Sequence, residues 1–317
     1  MTNNLGNSKL DSFSHIEDEI DFRDLFKVLF EGKWTILATT LLVLVFSLTY
    51  SLYLPNIYKS EALLSPVDEQ SNFNGVMGNY GGLASLAGIN LPTQSGDANS
   101  IEALYKIKSL SFFIDHILPN IFLPNLMAIK SVDVEENVIE YDESIYDSVT
   151  NKWVKNSQSS ETDIPSNQKS FEVFINKHLS VSKDNDTGYV TVGVKHQSPI
   201  IAQAWTRLIV EELNNFFRLK DKAEAQAAMD YLNKQISQTS YAEVKQVIAE
   251  LMQHKTQQLT LIEVTDFYVF DYIDPPAIME DKHEPGRALI CLMGAVIGLI
   301  FGTLIVFIRR ILINEAN

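Results

Sequence analysis

Hydrophobic and polar residues alternate in distinct ways along this chain. Two unbroken apolar runs stand near its ends, residues 34–54 (WTILATTLLVLVFSLTYSLYL) and residues 288–308 (ALICLMGAVIGLIFGTLIVFI). Each is 21 residues long and lacks Asp, Glu, Lys and Arg. At about 1.5 Å of rise per residue, a helix of that length crosses a hydrocarbon layer of roughly 30 Å. A helix is also the only single-segment structure that satisfies its own backbone there. The pattern predicts two transmembrane helices, with residues 55–287 on one side of a membrane and both termini on the other.

Between the runs the period changes repeatedly. Residues 57–66 (IYKSEALLSP) read as a strand closed by Pro66. Residues 68–97 carry Gly75, Gly78, Gly81, Gly82, Gly88 and Gly96, too many for a regular core element. Residues 100–118 place Ile101, Leu104, Ile107, Leu110 and Ile114 on one helical stripe, and Pro119 and Pro124 follow. Residues 131–170 are polar, acidic and weakly periodic, as in an edge insertion. Residues 179–183 and 189–195 alternate, and Asp184-Asn185-Asp186-Thr187-Gly188 joins them as a hairpin turn. That turn accounts for the Asn185-x-Thr187 sequon without glycosylation.

Ser198-Pro199 gives an N-cap followed by Pro at the first helical position. The next Pro or Gly is Pro275. A dense apolar stripe (Ile201, Trp205, Leu208, Val210, Leu213, Phe216, Phe217) thins after Lys220 to Ala223, Ala227, Tyr231 and Ile236. A second helical pattern covers residues 241–263. The thin seams of the two suit an antiparallel pair standing out from a core. Residues 267–273 read as a strand that shares a sheet with residues 57–64. The expected fold is an α+β domain with long projecting helices, about 199–263, anchored by two transmembrane helices.

Charge and flanking residues refine this topology. The chain carries a formal charge of −15, of which −13 falls between the apolar runs. That argues against nucleic-acid binding and against a domain lying flat on anionic lipid. Arg23, Lys27, Lys33, Arg309 and Arg310 flank the runs on one side, against Lys59, Lys282 and Arg287 on the other. The bias puts both termini in the cytoplasm. The first run follows 33 polar or mixed residues and lacks a small-x-small cleavage site, so it reads as a retained anchor. Residues 16–30 have the spacing of a short amphipathic helix leading into it. The domain limits are 1–33 for an N-terminal cytoplasmic segment, 34–54, 55–287, 288–308, and 309–317 for a cytoplasmic tail.

Chemistry is sparse. The single cysteine, Cys291, lies in the second apolar run, so no intrachain disulfide forms. His15, His116, His178, His196, His254 and His283 are scattered without metal-ligand spacing, and no nucleophile motif is present. The pairs Glu135–Glu136 and Glu211–Glu212 read as solvated faces. The sequence thus points to no catalytic residue, cofactor or metal. One motif stands out: Gly294, Gly298 and Gly302 form GxxxGxxxG, which places small residues along one face of a membrane helix and lets another helix approach.

Residues 20–36 (IDFRDLFKVLFEGKWTI), 57–66, 81–89 (GGLASLAGI), 212–236 (ELNNFFRLKDKAEAQAAMDYLNKQI) and 270–302 (FDYIDPPAIMEDKHEPGRALICLMGAVIGLIFG) occur in an order that resembles the bacterial polysaccharide co-polymerases, the chain-length determinant (Wzz) family. The membrane-proximal segment departs from that family's Pro-rich pattern. Pro275, Pro276 and Pro285 are kept, whereas Met279 and Lys282 stand where another Pro is expected. The resemblance implies an inner-membrane protein with a periplasmic domain. It also implies a homo-oligomeric ring that sets the length of an O-antigen or related polysaccharide made by a separate membrane polymerase, without catalysis of its own. The growing polysaccharide and the lipid bilayer are the further partners it implies. A membrane adaptor or sensor coupling a periplasmic domain to a cytoplasmic kinase is the alternative, with little chain outside the runs to carry an output.

Overall fold

The computed structural model describes residues 29–67, 96–154, 164–265 and 267–315. The amphipathic leader before Leu29 and most of the glycine-rich segment lie outside the described residues. The chain divides into two units, Met1–Leu54 with Pro285–Asn317, and Pro55–Glu284.

The first unit holds helix α1 (Lys33–Tyr53) and the last helix, Arg287–Glu315. The latter runs on past Ile308 through Arg309 and Arg310. Nothing in residues 309–315 breaks a helix, and Ile311 and Leu312 continue its apolar pattern. Both helices are long and apolar enough to cross a membrane. Leu41, Leu42, Phe46, Leu299, Ile300 and Phe301 are exposed along them. Such broad apolar cylinders are stable in lipid and not in water.

The second unit is built on a four-stranded antiparallel sheet. In chain order the unit has β1 (Tyr58–Pro66), then, after helix α2 (Gly96–Ile107), two separate small hairpins, β2 (Ile129–Asp133) with β3 (Val138–Tyr141) and β4 (Tyr146–Asp147) with β5 (Lys152–Trp153). Helix α3 (Asn167–Val173) and a π turn (Phe174–His178) lead to β6 (Leu179–Lys183) and β7 (Val190–His196). Helices α4 (Pro199–Gln238) and α5 (Ala242–Val264) come next, followed by β8 (Phe270–Asp274) and, in the other unit, α6 (Arg287–Glu315). The main sheet has the order β6-β7-β1-β8. The strands near residues 57–64 and 267–273 therefore are neighbours, as the sequence suggests.

The alternation in β1 and β7 decides which face is covered. Tyr58, Ser60, Ala62 and Leu64 are buried and pair with His196, Val194, Val192 and Val190, so eight side chains line one face. The first half of α4 lies on it with Ala202, Trp205, Ile209, Val210, Leu213 and Phe217 buried. The Thr206 hydroxyl comes within 3.1 Å of the Ser60 carbonyl and 2.8 Å of the Ala202 carbonyl, which shows how closely helix and strand approach. Helix α4 starts where the Ser-Pro pair predicts. Ser198 Oγ accepts from the Ile201 amide at 3.4 Å, with Pro199 at the first helical position.

Three segments differ from the sequence pattern. The helix expected over 100–118 ends at Ile107 and restarts after Ser109, whose hydroxyl accepts from the Phe112 amide. A π turn over Phe113–Ile117 and a 3-10 turn over Leu118–Asn120 follow. This rotation buries Phe112, Phe113 and Ile117 together. Strand β8 starts at Phe270 instead of residue 267, because the amides of Tyr268, Val269 and Phe270 all donate to Asn214 Oδ1 (3.2, 2.7 and 3.0 Å). Within the acidic segment, the described residues up to 154 form two hairpins, and three aspartates make their turns. Asp133, Asp142 and Asp147 accept from amides two or three residues on.

Candidate functional site

The long helices carry exposed apolar side chains among the described residues of the Pro55–Glu284 unit. Helix α5 packs antiparallel on the second half of α4. Arg218 Nη2 donates to the Thr265 carbonyl at 2.8 Å, and Lys222 pairs with Glu263. The turn at residues 239–241 lies at the other end. Beyond Phe217, Ala225 is the buried residue of α4, and Ile248 and Ile262 are those of α5. Tyr231 (63%), Tyr241 (73%), Val244, Val247 and Leu251 stay exposed. The pair covers its own narrow seam and leaves a second apolar strip open, too narrow to form a core alone.

Glycines face the partner helix in the other unit. A Cβ placed on Gly294 would lie 2.6 Å from Ser47 Cβ, on Gly298 2.8 Å from Thr40 Cα, and on Gly302 2.9 Å from Ile36 Cα. A Cβ on Gly32, the N-cap residue of α1, would meet the Val306 side chain. Residue numbers rise along α6 as they fall along α1, so the helices run antiparallel. Ser47 Oγ donates to the Ile290 carbonyl at 2.9 Å across this contact. Gly298 is the tightest backbone approach, since the obstructing atom is main chain and cannot turn aside.

The proline segment is tied down at several points. Pro276 is buried, and its carbonyl accepts from Gln203 Nε2 at 3.2 Å. Ser60 Oγ donates to the Ala277 carbonyl at 2.7 Å. Ile57 and Glu284 form an antiparallel bridge, and the Glu284 carboxylate holds Lys195 Nζ at 2.6 Å. Lys195 keeps the Glu284 carboxyl below the usual carboxylate range. Pro275 is exposed and Pro285 half-buried. The bridge closes the unit's first and last residues onto each other.

Three of the histidines sit in two separate clusters. His116 Nδ1 lies 3.2 Å from Glu212 Oε2 and stacks on Phe112, so Glu212 is not the plain solvated acid its sequence suggests. The partners lie 96 residues apart, and no local spacing signals them. His178 and His196 pack against Trp205. His196 Nε2 donates to the Asn125 carbonyl at 3.0 Å, and its Nδ1 accepts from the Ser198 amide at 2.9 Å. A carbonyl only accepts and an amide only donates, so these contacts define a neutral, Nε2-protonated ring. Burial pushes its pKa down to about 4. Among the described residues, no group of three or more His, Cys, Asp or Glu could hold a metal ion.

Comparisons with known proteins bear on residues described above. Residues 18–111 match the Wzz family model, described as chain length determinant protein. A solved structure titled as a full-length bacterial polysaccharide co-polymerase is 15% identical, with 92% of this chain and 98% of that chain covered and a TM-score of 0.39. A fragment of WzzB, a polysaccharide co-polymerase from Salmonella Typhimurium, is 13% identical, with 72% and 100% covered and a TM-score of 0.31. At those scores the likeness does not establish a shared arrangement of elements. The comparison with curated proteins gave no match. The match over residues 18–111 takes in the first apolar helix and strand β1, and that part of the chain is similar to the chain length determinant (Wzz) proteins.

Proposed function

We propose that this protein is a non-catalytic, oligomeric regulator of polysaccharide chain length in a bacterial inner membrane, acting with a separate membrane polymerase. In this reading residues 55–287 are periplasmic and both termini cytoplasmic. The observation that carries it is the family match over residues 18–111. The exposed strip on α4 and α5 supports the oligomeric part. Tyr231, Tyr241, Val244, Val247 and Leu251 form the kind of surface that a second copy of the chain would cover. The glycine face supports a role for α6 in close helix packing, within the chain or against a partner in the membrane. Deleting the gene and separating the surface polysaccharide by gel electrophoresis tests the reading. The expected result is loss of the modal length, and an unchanged distribution refutes it. Particle symmetry of the detergent-purified protein by electron microscopy tests the ring separately.

A further inference from the structure

The Pro55–Glu284 unit is strongly acidic, yet one of its cavities is lined with bases. The cavity is an open cleft of about 1030 Å³, room for one or two sugar rings. One wall is the face of α3 and the π turn that presents Lys169, Val173 and Lys177 at successive four-residue steps. The end of β7 also lines the cleft, with Lys195 and His196. Among the described residues that line it, none is Asp or Glu.

Four of these bases differ in what they have left to offer. Lys195 is already neutralised by Glu284. Lys169 and Lys177 are exposed and have no carboxylate partner among the described residues. His178 Nδ1 lies 2.7 Å from the Lys195 carbonyl and must donate to it, which leaves Nε2 as the ring's free position. Burial lowers the pKa of His178, and the adjacent Lys177 adds to that effect. Around the cleft, apolar Val173, Met127 and Ile145 supply surface for the unpolar face of a ring.

We propose that this cleft binds an acidic sugar unit, with Lys169 and Lys177 holding its carboxylate or phosphate. The assignment rests on the reading of the protein as a polysaccharide chain-length regulator for the word sugar, while the anionic requirement rests on the cleft alone. No bond is made or broken. Lysine suits the role because its ammonium is a compact charge on a flexible stem, able to follow a carboxylate or a phosphate.

The test is saturation-transfer NMR on the full chain in detergent. The probes are trigalacturonate, glucose 1-phosphate and, as a neutral control, maltotriose. At least one anionic probe is expected to bind, maltotriose not to bind, and competition between the two anions to identify the preferred group. Lys169→Gln and Lys177→Gln should each weaken binding roughly tenfold, the size of one charge-assisted hydrogen bond. Lys234→Gln, exposed on the far half of α4, should change nothing. Binding of maltotriose as tight as that of the anions, absence of binding by all three up to about 10 mM, or full binding by both cleft variants overturns the proposal. Polysaccharide ladders from strains carrying the same variants keep the two readings apart. Length control without ligand binding sinks the cleft alone, and ligand binding beside an unchanged ladder on gene deletion sinks the regulator alone.

Discussion

Mild acid should destabilise the Pro55–Glu284 unit, and His196 should be the main reason. The ring is 2% exposed, and both nitrogens are engaged in the neutral form. Protonating Nδ1 would break the bond from the Ser198 amide and bury a charge beside His178. With an ordinary pKa near 6.5 when unfolded and about 4 when folded, the unfolded chain binds more protons between those values. Stability is therefore complete above pH 6.5 and falls as the pH drops toward 4. The full loss is about 3 kcal/mol, and about 2 kcal/mol of it falls between pH 7 and pH 5. His178, lowered by burial, acts in the same direction. The carboxyls held low by their partners, Asp142, Asp147, Asp184 and Glu284, lose their contribution only below their unfolded values near 4, outside this window. Asp221, raised by burial, acts the other way, because its charged form is disfavoured in the fold. The assay is urea unfolding of the full chain in detergent at pH 7, 6 and 5. It would be followed by tryptophan fluorescence, to which Trp205 contributes 5.1 Å from the His196 ring. His196→Gln will be less stable at every pH but should lose most of the dependence between pH 7 and 5. A wild-type midpoint that is flat across this range, or a variant with the same slope, refutes the reasoning.

Other perturbations test separate parts of the structure. Gly298→Leu would drive a side chain into the Thr40 main chain and push α1 and α6 apart; the polysaccharide ladder should change while urea unfolding of the Pro55–Glu284 unit stays the same, and a normal ladder removes the idea. Asn214→Leu would orphan three buried amides and the Phe270 carbonyl, and should lower unfolding free energy by about 3 kcal/mol or more, read from the urea midpoint. Tyr241→Glu with Val247→Glu places charge on the open strip of the helix pair; the particle should fall to a smaller species by light scattering with unchanged circular dichroism, and an intact assembly refutes that surface as the contact.

Several features were legible in the sequence because short-range chemistry sets them. The apolar runs, the Ser198-Pro199 start of α4, and the Asp184–Gly188 turn each depend on neighbours a few residues away. In that turn Asp184 accepts from the Asp186 amide and the Thr187 hydroxyl, and Gly188 takes a φ of 74°. The pairing of β1 with β8 followed from their position at the two ends of the domain. What could not be read was set by distant partners. The delayed start of β8 depends on Asn214, more than 50 residues earlier, replacing a strand partner with one side-chain oxygen. The cleft brings Lys169, Lys177 and His178, which share one helical segment, to Lys195 on β7, and no local spacing marks that meeting. Glu212 looked like half of a solvated acidic pair until folding brought His116 to it.

The end of β7 joins most of these long-range contacts, and this gives the cleft a mechanical place in the domain. Lys195 accepts from His178 through its carbonyl and holds Glu284 through its amine. Glu284 in turn bridges to Ile57, just before β1. The next residue but two, Ser198, receives the helix start of α4 while its own amide is held by His196. A negative charge bound at Lys177 would favour the protonated form of His178, whose Nδ1–H already donates to the Lys195 carbonyl. That strengthens a contact on the strand end from which α4 departs and to which the domain's last residues are tied. Four residues, Lys195 to Ser198, thus connect the basic cleft, the 40-residue helix and the closing bridge of the domain. Substituting Lys195 alone would remove the ammonium that Glu284 holds as well as altering the cleft, which is why Lys169 and Lys177, with no carboxylate partner among the described residues, isolate the charge requirement.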